Sequence, residues 1–171
     1  GDNIHFSRYF SLIKSKAKKT ILQIDKKLVQ LFKDSNFGNY IFSNDEELPN
    51  FDIHCPLLSL PYKFSTTLKN IPFHDKYLFP NADRVKKWKK TFDNKFYNIG
   101  INWQASPNPD LDKGRSFKLK YFKDISSIDK IKLYSLQKFN GLEQINENIK
   151  NFNLNVIDNL DKDSPFVDTA A

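Results

Sequence analysis

This 171-residue sequence contains one cysteine, no methionine, few arginines and no long apolar run. The single cysteine, Cys55, cannot close an intrachain disulfide, and with three scattered histidines it cannot build a Cys/His zinc cluster. We therefore expect a reducing, cytoplasmic compartment and no structural metal. No apolar run approaches the roughly 20 residues of a membrane helix, and no basic-then-apolar leader opens the chain, so we expect neither a transmembrane segment nor a secretory signal.

Methionine is absent even from position 1, where translation would have started. We therefore expect the chain to be an excised piece of a longer protein. The residues that are present include 39% hydrophobic and 15% aromatic side chains, which is enough for a globular core.

Arginine is scarce in a chain that carries an excess of positive charge. The formal net charge is +7, and all of the excess lies before residue 96, where 17 basic residues face 10 acidic ones; the remainder has 10 of each. Such a basic chain is a candidate nucleic-acid binder. Only three of the 27 basic residues are arginine, so guanidinium groups suited to phosphates and base edges are few. We favour solvated lysine surfaces over a nucleic-acid interface.

Strand and helix patterns alternate along the chain in two runs. Apolar strands are predicted at 20–24, 40–42, 51–54, 98–103, 131–136 and 154–157, and amphipathic helices at 5–17, 26–33, 81–92, 117–125 and 142–149. Such alternation predicts parallel sheets with crossover helices. The charge balance changes near Lys95, where the second run begins. The sequence thus predicts an α/β fold of two incomplete units, at 1–95 and 96–171.

Asp2 has a structural and a functional interpretation. It precedes the first predicted helix, where an aspartate accepts backbone N–H bonds as a helix cap. The alternative is a general base, because a carboxylate at a strand-to-helix turn on the edge of a parallel sheet can take a proton from a substrate hydroxyl.

The neighbours His54 and Cys55 suggest a nucleophile and its base. Adjacent residues on a strand point to opposite faces, and Cys55 precedes a proline. We therefore expect Cys55 to be a buried structural residue.

The polar loop at 103–116 is the most informative stretch of the sequence. It follows an apolar strand and contains Arg115, which stands just before the helix predicted from Phe117. The guanidinium and the N–H groups at the start of that helix can together hold a diphosphate. The alternative is a solvated loop in which Ser116 is an ordinary helix cap. Gln137 and Lys138 follow the next strand, either at the ligand-binding edge of the sheet or as ordinary residues leaving a strand.

Five stretches taken together carry a family resemblance, and they occur in order as 1–10 (GDNIHFSRYF), 51–61 (FDIHCPLLSLP), 112–116 (DKGRS), 135–138 (SLQK) and 168–171 (DTAA). In this combination the chain resembles the glycosyltransferase-like domain that follows tetratricopeptide repeats in many bacterial proteins. That domain is similar to the ADP-heptose:lipopolysaccharide heptosyltransferases, which are family 9 glycosyltransferases of the GT-B fold.

The resemblance implies two Rossmann-like domains, an acceptor-side domain at 1–95 and a nucleotide-sugar-side domain at 96–171. It also implies a metal-independent, inverting transfer with a nucleotide-sugar as substrate and no cofactor. By this comparison the catalytic base corresponds to Asp2. The donor diphosphate corresponds to residues of two loops, namely Lys113, Arg115, Ser116, Gln137 and Lys138. The basic first part would suit an anionic saccharide acceptor.

The same comparison implies that the first strand and the end of the donor domain are absent. We therefore expect an incomplete GT-B fold, a fragment that is inactive alone, and self-association through uncovered sheet edges. Two other function classes stay open: a non-catalytic α/β interaction module that kept the fold of a transferase, and a basic nucleic-acid binder. Nucleotide affinity, its absence, or salt-dependent binding to DNA or RNA separates the three.

Overall fold

The chain folds into two compact units, unit 1 (Gly1–Val85 with Asp161–Ala171) and unit 2 (Lys86–Leu160). The computed structural model describes residues 1–38, 40–72, 76–105, 108–148 and 152–171. The division differs from the boundary predicted after residue 95, because it falls earlier and because the C-terminal segment joins unit 1. An ion pair explains the second difference, since Arg84 Nη1 donates to Asp168 Oδ1 over 2.8 Å.

The regular elements are short. In chain order the strands are β1 (Leu22–Ile24), β2 (Ile41–Ser43), β3 (Tyr97–Ile101), β4 (Ile131–Ser135) and β5 (Leu154–Val156). The α-helices are α1 (Asp2–Phe6), α2 (Phe10–Lys14), α3 (Val29–Asp34), α4 (Leu60–Lys63), α5 (Ala82–Lys89), α6 (Pro109–Asp112), α7 (Lys123–Ser126), α8 (Glu143–Asn148) and α9 (Val167–Ala170). Single 3-10 segments lead into four of the helices, at Ser7–Tyr9, Lys26–Leu28, Leu57–Ser59 and Leu119–Phe122. None of the helices in the described ranges is long and apolar enough to cross a membrane.

Both units combine helices with parallel strands. In unit 1, β1 and β2 pair in parallel, and α3 lies between them in the chain. In unit 2, β3, β4 and β5 form a parallel sheet in that order, with helices between successive strands. The predicted α/β class with parallel sheets is therefore confirmed. Ile149, at the end of the helix predicted at 142–149, lies outside the described residues.

The core of unit 1 is built around β1. Leu22 and Ile24 are buried and Gln23 between them is exposed, as the alternation of side chains along a strand requires. Asp25 then starts the next helix, because its side chain accepts a hydrogen bond from Lys27 N at 2.8 Å. The other buried residues of this core are Phe10, Leu28, Leu31, Phe32, Phe37 and Ile41.

The core of unit 2 is built around β4, whose Leu133 is completely buried. Gly100 of β3 permits a close approach of the chain leaving β4, because a Cβ at this position would lie 2.6 Å from Leu136 Cδ1. The buried residues of this core are Ile101, Trp103, Leu119, Leu133, Ile145 and Phe152. The parallel register places Ile101 opposite Ser135, so β3 and β4 end at the same edge of the sheet.

The strand predicted at 51–54 does not form. Phe51 is 51% and Ile53 is 87% exposed, and the segment pairs with no strand among the described residues. Pro49 and Pro56 flank it, and a proline supplies no N–H group to a strand ladder. Cys55, expected to be buried, is exposed for the same reason, since the segment that carries it packs into no sheet.

Candidate functional site

The candidate site lies at the carboxyl-terminal edge of the unit 2 sheet, where β3 and β4 end side by side. One loop, 102–118, leaves β3, and another, 136–142, leaves β4. Residues 106 and 107 of the first loop lie outside the described residues. Ligands of open parallel sheets bind at this edge. Five of the six residues predicted for the site are on these two loops.

Gln137 joins the two loops through its side-chain amide, and the residue is only 7% exposed. Its Oε1 accepts hydrogen bonds from Trp103 N at 3.0 Å and Gln104 N at 2.9 Å. Its Nε2 donates to the carbonyl oxygens of Gln104 at 2.8 Å, Asn140 at 2.7 Å and Lys138 at 3.4 Å. Because the backbone engages both ends of the amide, Gln137 positions the loops rather than contacting a ligand.

Trp103 and two further glutamines extend this network. The buried Trp103 indole donates through Nε1 to Gly141 O at 3.1 Å. Gly141 has φ +86°, and a Cβ there would lie 2.8 Å from Gln104 Oε1, so the contact requires glycine. Gln144 Nε2 donates to Gln104 Oε1 at 2.9 Å, and Gln144 Oε1 accepts from Leu119 N at 2.9 Å. Trp103 and Gln104 begin the stretch 103–116 that the sequence singles out, but sequence reasoning missed Gly141 and Gln144; the glycine soon after β4 was the available signal.

Ser116 closes the loop 102–118 on itself. Its Oγ accepts a hydrogen bond from Ala105 N at 2.9 Å and donates to the carboxylate of Asp112. At the base of the loop, Phe117 N donates to Trp103 O at 3.0 Å. Ser116 is therefore a latch within the loop and not the helix cap of the alternative interpretation, since the following helical segment begins only at Leu119–Phe122.

Two of the N–H groups expected to bind a diphosphate together with Arg115 are engaged within the protein. The helix predicted from Phe117 begins instead as a 3-10 segment at Leu119–Phe122. Phe117 N donates to a carbonyl oxygen and Leu119 N to a glutamine side chain. Neither of these two N–H groups is available to a diphosphate.

Of the four basic side chains on the two loops, three are predicted to bind the donor, and the fourth is Lys118. Lys113 and Arg115 are exposed on either side of Gly114, whose φ of +68° reverses the chain between them. Lys138 is half-buried on the second loop, directly after Gln137. Of the residues predicted to bind a donor, these three are the ones placed to meet a ligand.

Asp2 lies in unit 1, as the first residue of α1, and its side chain is exposed. Gly1 occupies the cap position of α1, and no side chain makes a cap hydrogen bond there. The capping interpretation of Asp2 is therefore wrong. A solvent-facing carboxylate keeps its lone pairs available to accept a proton.

A charged cluster in unit 1 was missed by sequence reasoning. The side chain of Asp168 is 1% exposed and accepts from Arg84 Nη1 through one oxygen and from Asp161 N, at 3.0 Å, through the other. Asp161 in turn accepts from Asp168 N at 2.6 Å and Thr169 N at 2.9 Å. The hydrogen bond to Asp168 raises the pKa of Arg84. The cluster fastens the C-terminal segment within unit 1.

Comparison of the chain with family models, with curated proteins and with solved structures finds no match. In the part of the chain that the structure describes, no group of three or more His, Cys, Asp or Glu side chains is arranged to hold a metal ion. A fold alone does not imply a function, so the side chains at the edge of the sheet carry the functional information.

Proposed function

We propose that the chain takes part in inverting glycosyl transfer from a nucleotide-sugar, with unit 2 binding the nucleoside diphosphate of the donor. The observation that carries the proposal is the loop 102–118 at the carboxyl edge of the sheet, which exposes Lys113 and Arg115 and is closed by the Ser116 latch. The resemblance to GT-B transferases supports the same assignment. In that fold, unit 1 would be the acceptor-side and unit 2 the donor-side Rossmann-like domain.

The basic side chains suit a leaving nucleoside diphosphate, whose negative charge increases as the glycosidic bond breaks. The Arg115 guanidinium can form two parallel hydrogen bonds with a phosphate, and Lys113 and Lys138 add positive charge. Because Ser116 and Gln137 already hold the loops, binding orders little additional backbone. Such preorganised charge stabilises a transition state without a metal ion.

On the acceptor side, Asp2 is the proposed general base. Its carboxylate is exposed and is not engaged as a helix cap, so it can accept the proton of an acceptor hydroxyl. Most of the basic excess before residue 96 lies in residues 86–95, which belong to unit 2, so the charge of unit 1 adds little support for an anionic saccharide acceptor.

Calorimetric titration of the chain with ADP tests the donor site. We expect binding, and we expect Arg115→Ala to weaken it about 10- to 100-fold because charge-assisted hydrogen bonds are lost. Lys95→Ala is the matched control, since it removes one positive charge from an exposed position just before β3, at the other end of the strand. The proposal is wrong if ADP does not bind or if both variants weaken ADP binding equally.

The same titration separates the base from the donor site. Asp2→Asn should leave the ADP affinity within a few fold of the wild-type value, and general-base loss should lower turnover about 10²- to 10⁴-fold in a form of the protein that turns over. An Asp2→Asn variant that loses ADP as Arg115→Ala does would contradict the separate roles. Tight binding to DNA or RNA that falls steeply with salt and survives Arg115→Ala would favour the nucleic-acid binder instead.

A further inference from the structure

Phe139 has a backbone conformation and a solvent exposure that are both unfavourable for a phenylalanine. Its φ is +63°, in the left-handed region where a bulky side chain is an outlier. Its residue surface is 84% exposed, so the ring gains almost nothing from the core of unit 2. An asparagine or a glycine would adopt this backbone conformation more readily.

The surrounding hydrogen bonds explain how the conformation of Phe139 is held. Gln137 Nε2 donates to the carbonyl oxygens on both sides of Phe139, at 3.4 Å to Lys138 and 2.7 Å to Asn140. The other end of the same amide accepts from Trp103 N at 3.0 Å. The turn is thus tied to the loop that leaves the neighbouring strand, and Phe139 cannot relax without breaking this attachment.

The location of the ring points to a ligand. Phe139 comes four residues after the end of β4, on the loop that shares the carboxyl edge of the sheet with Lys113 and Arg115. Strained backbone conformations concentrate at ligand sites, where the surrounding structure enforces them. A solvent-exposed phenyl ring offers a flat apolar face and no hydrogen-bonding group, which suits stacking and not polar recognition.

We propose that the Phe139 ring is a stacking platform for the nucleobase of a nucleotide bound at this edge. The inference rests on the proposed function, because the phosphates would be held by the basic side chains and the base by the ring. Stacking on an aromatic ring tolerates any base, so the platform contributes affinity rather than a choice among nucleotides.

Titrations with ADP and with inorganic pyrophosphate, which has no base, test the platform. Phe139→Asn should weaken ADP binding roughly 5- to 100-fold and leave pyrophosphate binding unchanged. It should also leave the melting temperature equal or higher, because asparagine tolerates the left-handed conformation. Phe139→Trp should keep ADP affinity at or above the wild-type level. Tyr97→Asn is the matched control, since Tyr97 is 73% exposed at the start of β3, at the opposite edge of the sheet.

The outcomes separate this inference from the proposed function. If Phe139→Asn leaves ADP binding unchanged while pyrophosphate still binds, the platform is wrong and the phosphate site stands. Equal losses of ADP and pyrophosphate in Phe139→Asn, or loss of ADP in Phe139→Trp, would also overturn the platform, because the turn and not the ring would then matter. If the wild-type chain binds neither ligand, the proposed function itself fails and the platform with it.

Discussion

At the scale of single residues, Gln137 is the side chain on which the geometry of the candidate site depends most. Its amide satisfies backbone groups of both loops, including the N–H groups of Trp103 and Gln104. A buried N–H group left without an acceptor costs about 1–3 kcal/mol. Gln137, which the sequence predicts to lie near the donor, therefore acts indirectly, by positioning the loops that carry Arg115 and Phe139.

Replacing Gln137 with leucine should lower the free energy of unfolding by about 3 kcal/mol, because two backbone N–H groups lose their acceptor. Denaturant-induced unfolding followed by tryptophan fluorescence measures this change. Gln30→Leu is the control, since the exposed Gln30 side chain donates to Asp34 at 2.9 Å within α3, and its loss should cost about 0.5 kcal/mol or less. Similar losses of stability in the two variants would mean that the Gln137 side chain does not stabilise the two loops.

Asp45, in the turn after β2, gives a pH-dependent prediction at the same scale. The hydrogen bonds from Lys26, whose Nζ lies 2.8 Å from Asp45 Oδ2, and from Ser43 lower the pKa of Asp45 to about 2. A lowered carboxyl pKa stabilises the folded state above the unfolded value of 3.8, and this contribution is lost as the pH falls towards 2. We expect an NMR titration to find the pKa of Asp45 near 2, and higher in Lys26→Met.

Lys27→Met is the control for this titration, because Lys27 is exposed and adjacent in sequence to Lys26. It should leave the pKa of Asp45 unchanged. Equal effects of the two variants would mean that net charge, and not the contact with Lys26, lowers the pKa.

At the scale of elements, the periodic patterns of apolar residues predicted the buried strands. They did not predict structure that depends on contacts between residues distant in the sequence. The alternation of Leu22 and Ile24 was sufficient to locate β1, because one face of that strand packs on the core. The helix predicted from Phe117 starts late because Lys118 has an extended backbone, with φ −78° and ψ 137°. Gln137 and Trp103 are 34 residues apart, so their contact leaves no local pattern in the sequence.

The latch formed by Ser116 gives a prediction for the loop 102–118. Ser116→Ala removes the acceptor of Ala105 N, so the amide of Ala105 should exchange with solvent roughly tenfold faster. Hydrogen-exchange NMR measures this rate. Ser127→Ala removes an exposed hydroxyl that donates to Lys123 O of α7, and should leave Ala105 unaffected. Unchanged exchange at Ala105 in Ser116→Ala would mean that the loop is held by other contacts.

At the scale of the whole molecule, the end of the chain completes the first unit and not the second. Arg84 and Asp168 are 84 residues apart in the sequence. Their ion pair attaches the C-terminal segment to the rest of unit 1. The sequence predicts a domain boundary where the charge balance changes. Charge balance reflects the composition of the surface and carries no information about an ion pair between distant residues. The last helix, α9, covers most of the run 168–171.

Arg84→Met should lower the free energy of unfolding of unit 1 by about 3 kcal/mol, because it leaves the buried carboxylate of Asp168 without its partner. Denaturant unfolding, with hydrogen exchange at Asp161 and Asp168, locates the loss. Asp163→Asn is the control: Asp163 is 71% exposed and lies 3.4 Å from Arg84, so its removal should cost about 0.5 kcal/mol or less. If Asp163→Asn lowered the free energy of unfolding as much as Arg84→Met, the burial of the Asp168 carboxylate would not explain the stability that Arg84 contributes.

The amide NMR shifts of the isotope-labelled chain during titration with ADP test most directly whether unit 2 binds a nucleoside diphosphate at the carboxyl edge of its sheet. We predict that the largest shifts fall at 103–105, 113–116 and 137–141, and that they saturate together with one dissociation constant. Shifts concentrated in unit 1, or small shifts throughout the chain that disappear with added salt, would contradict the assignment.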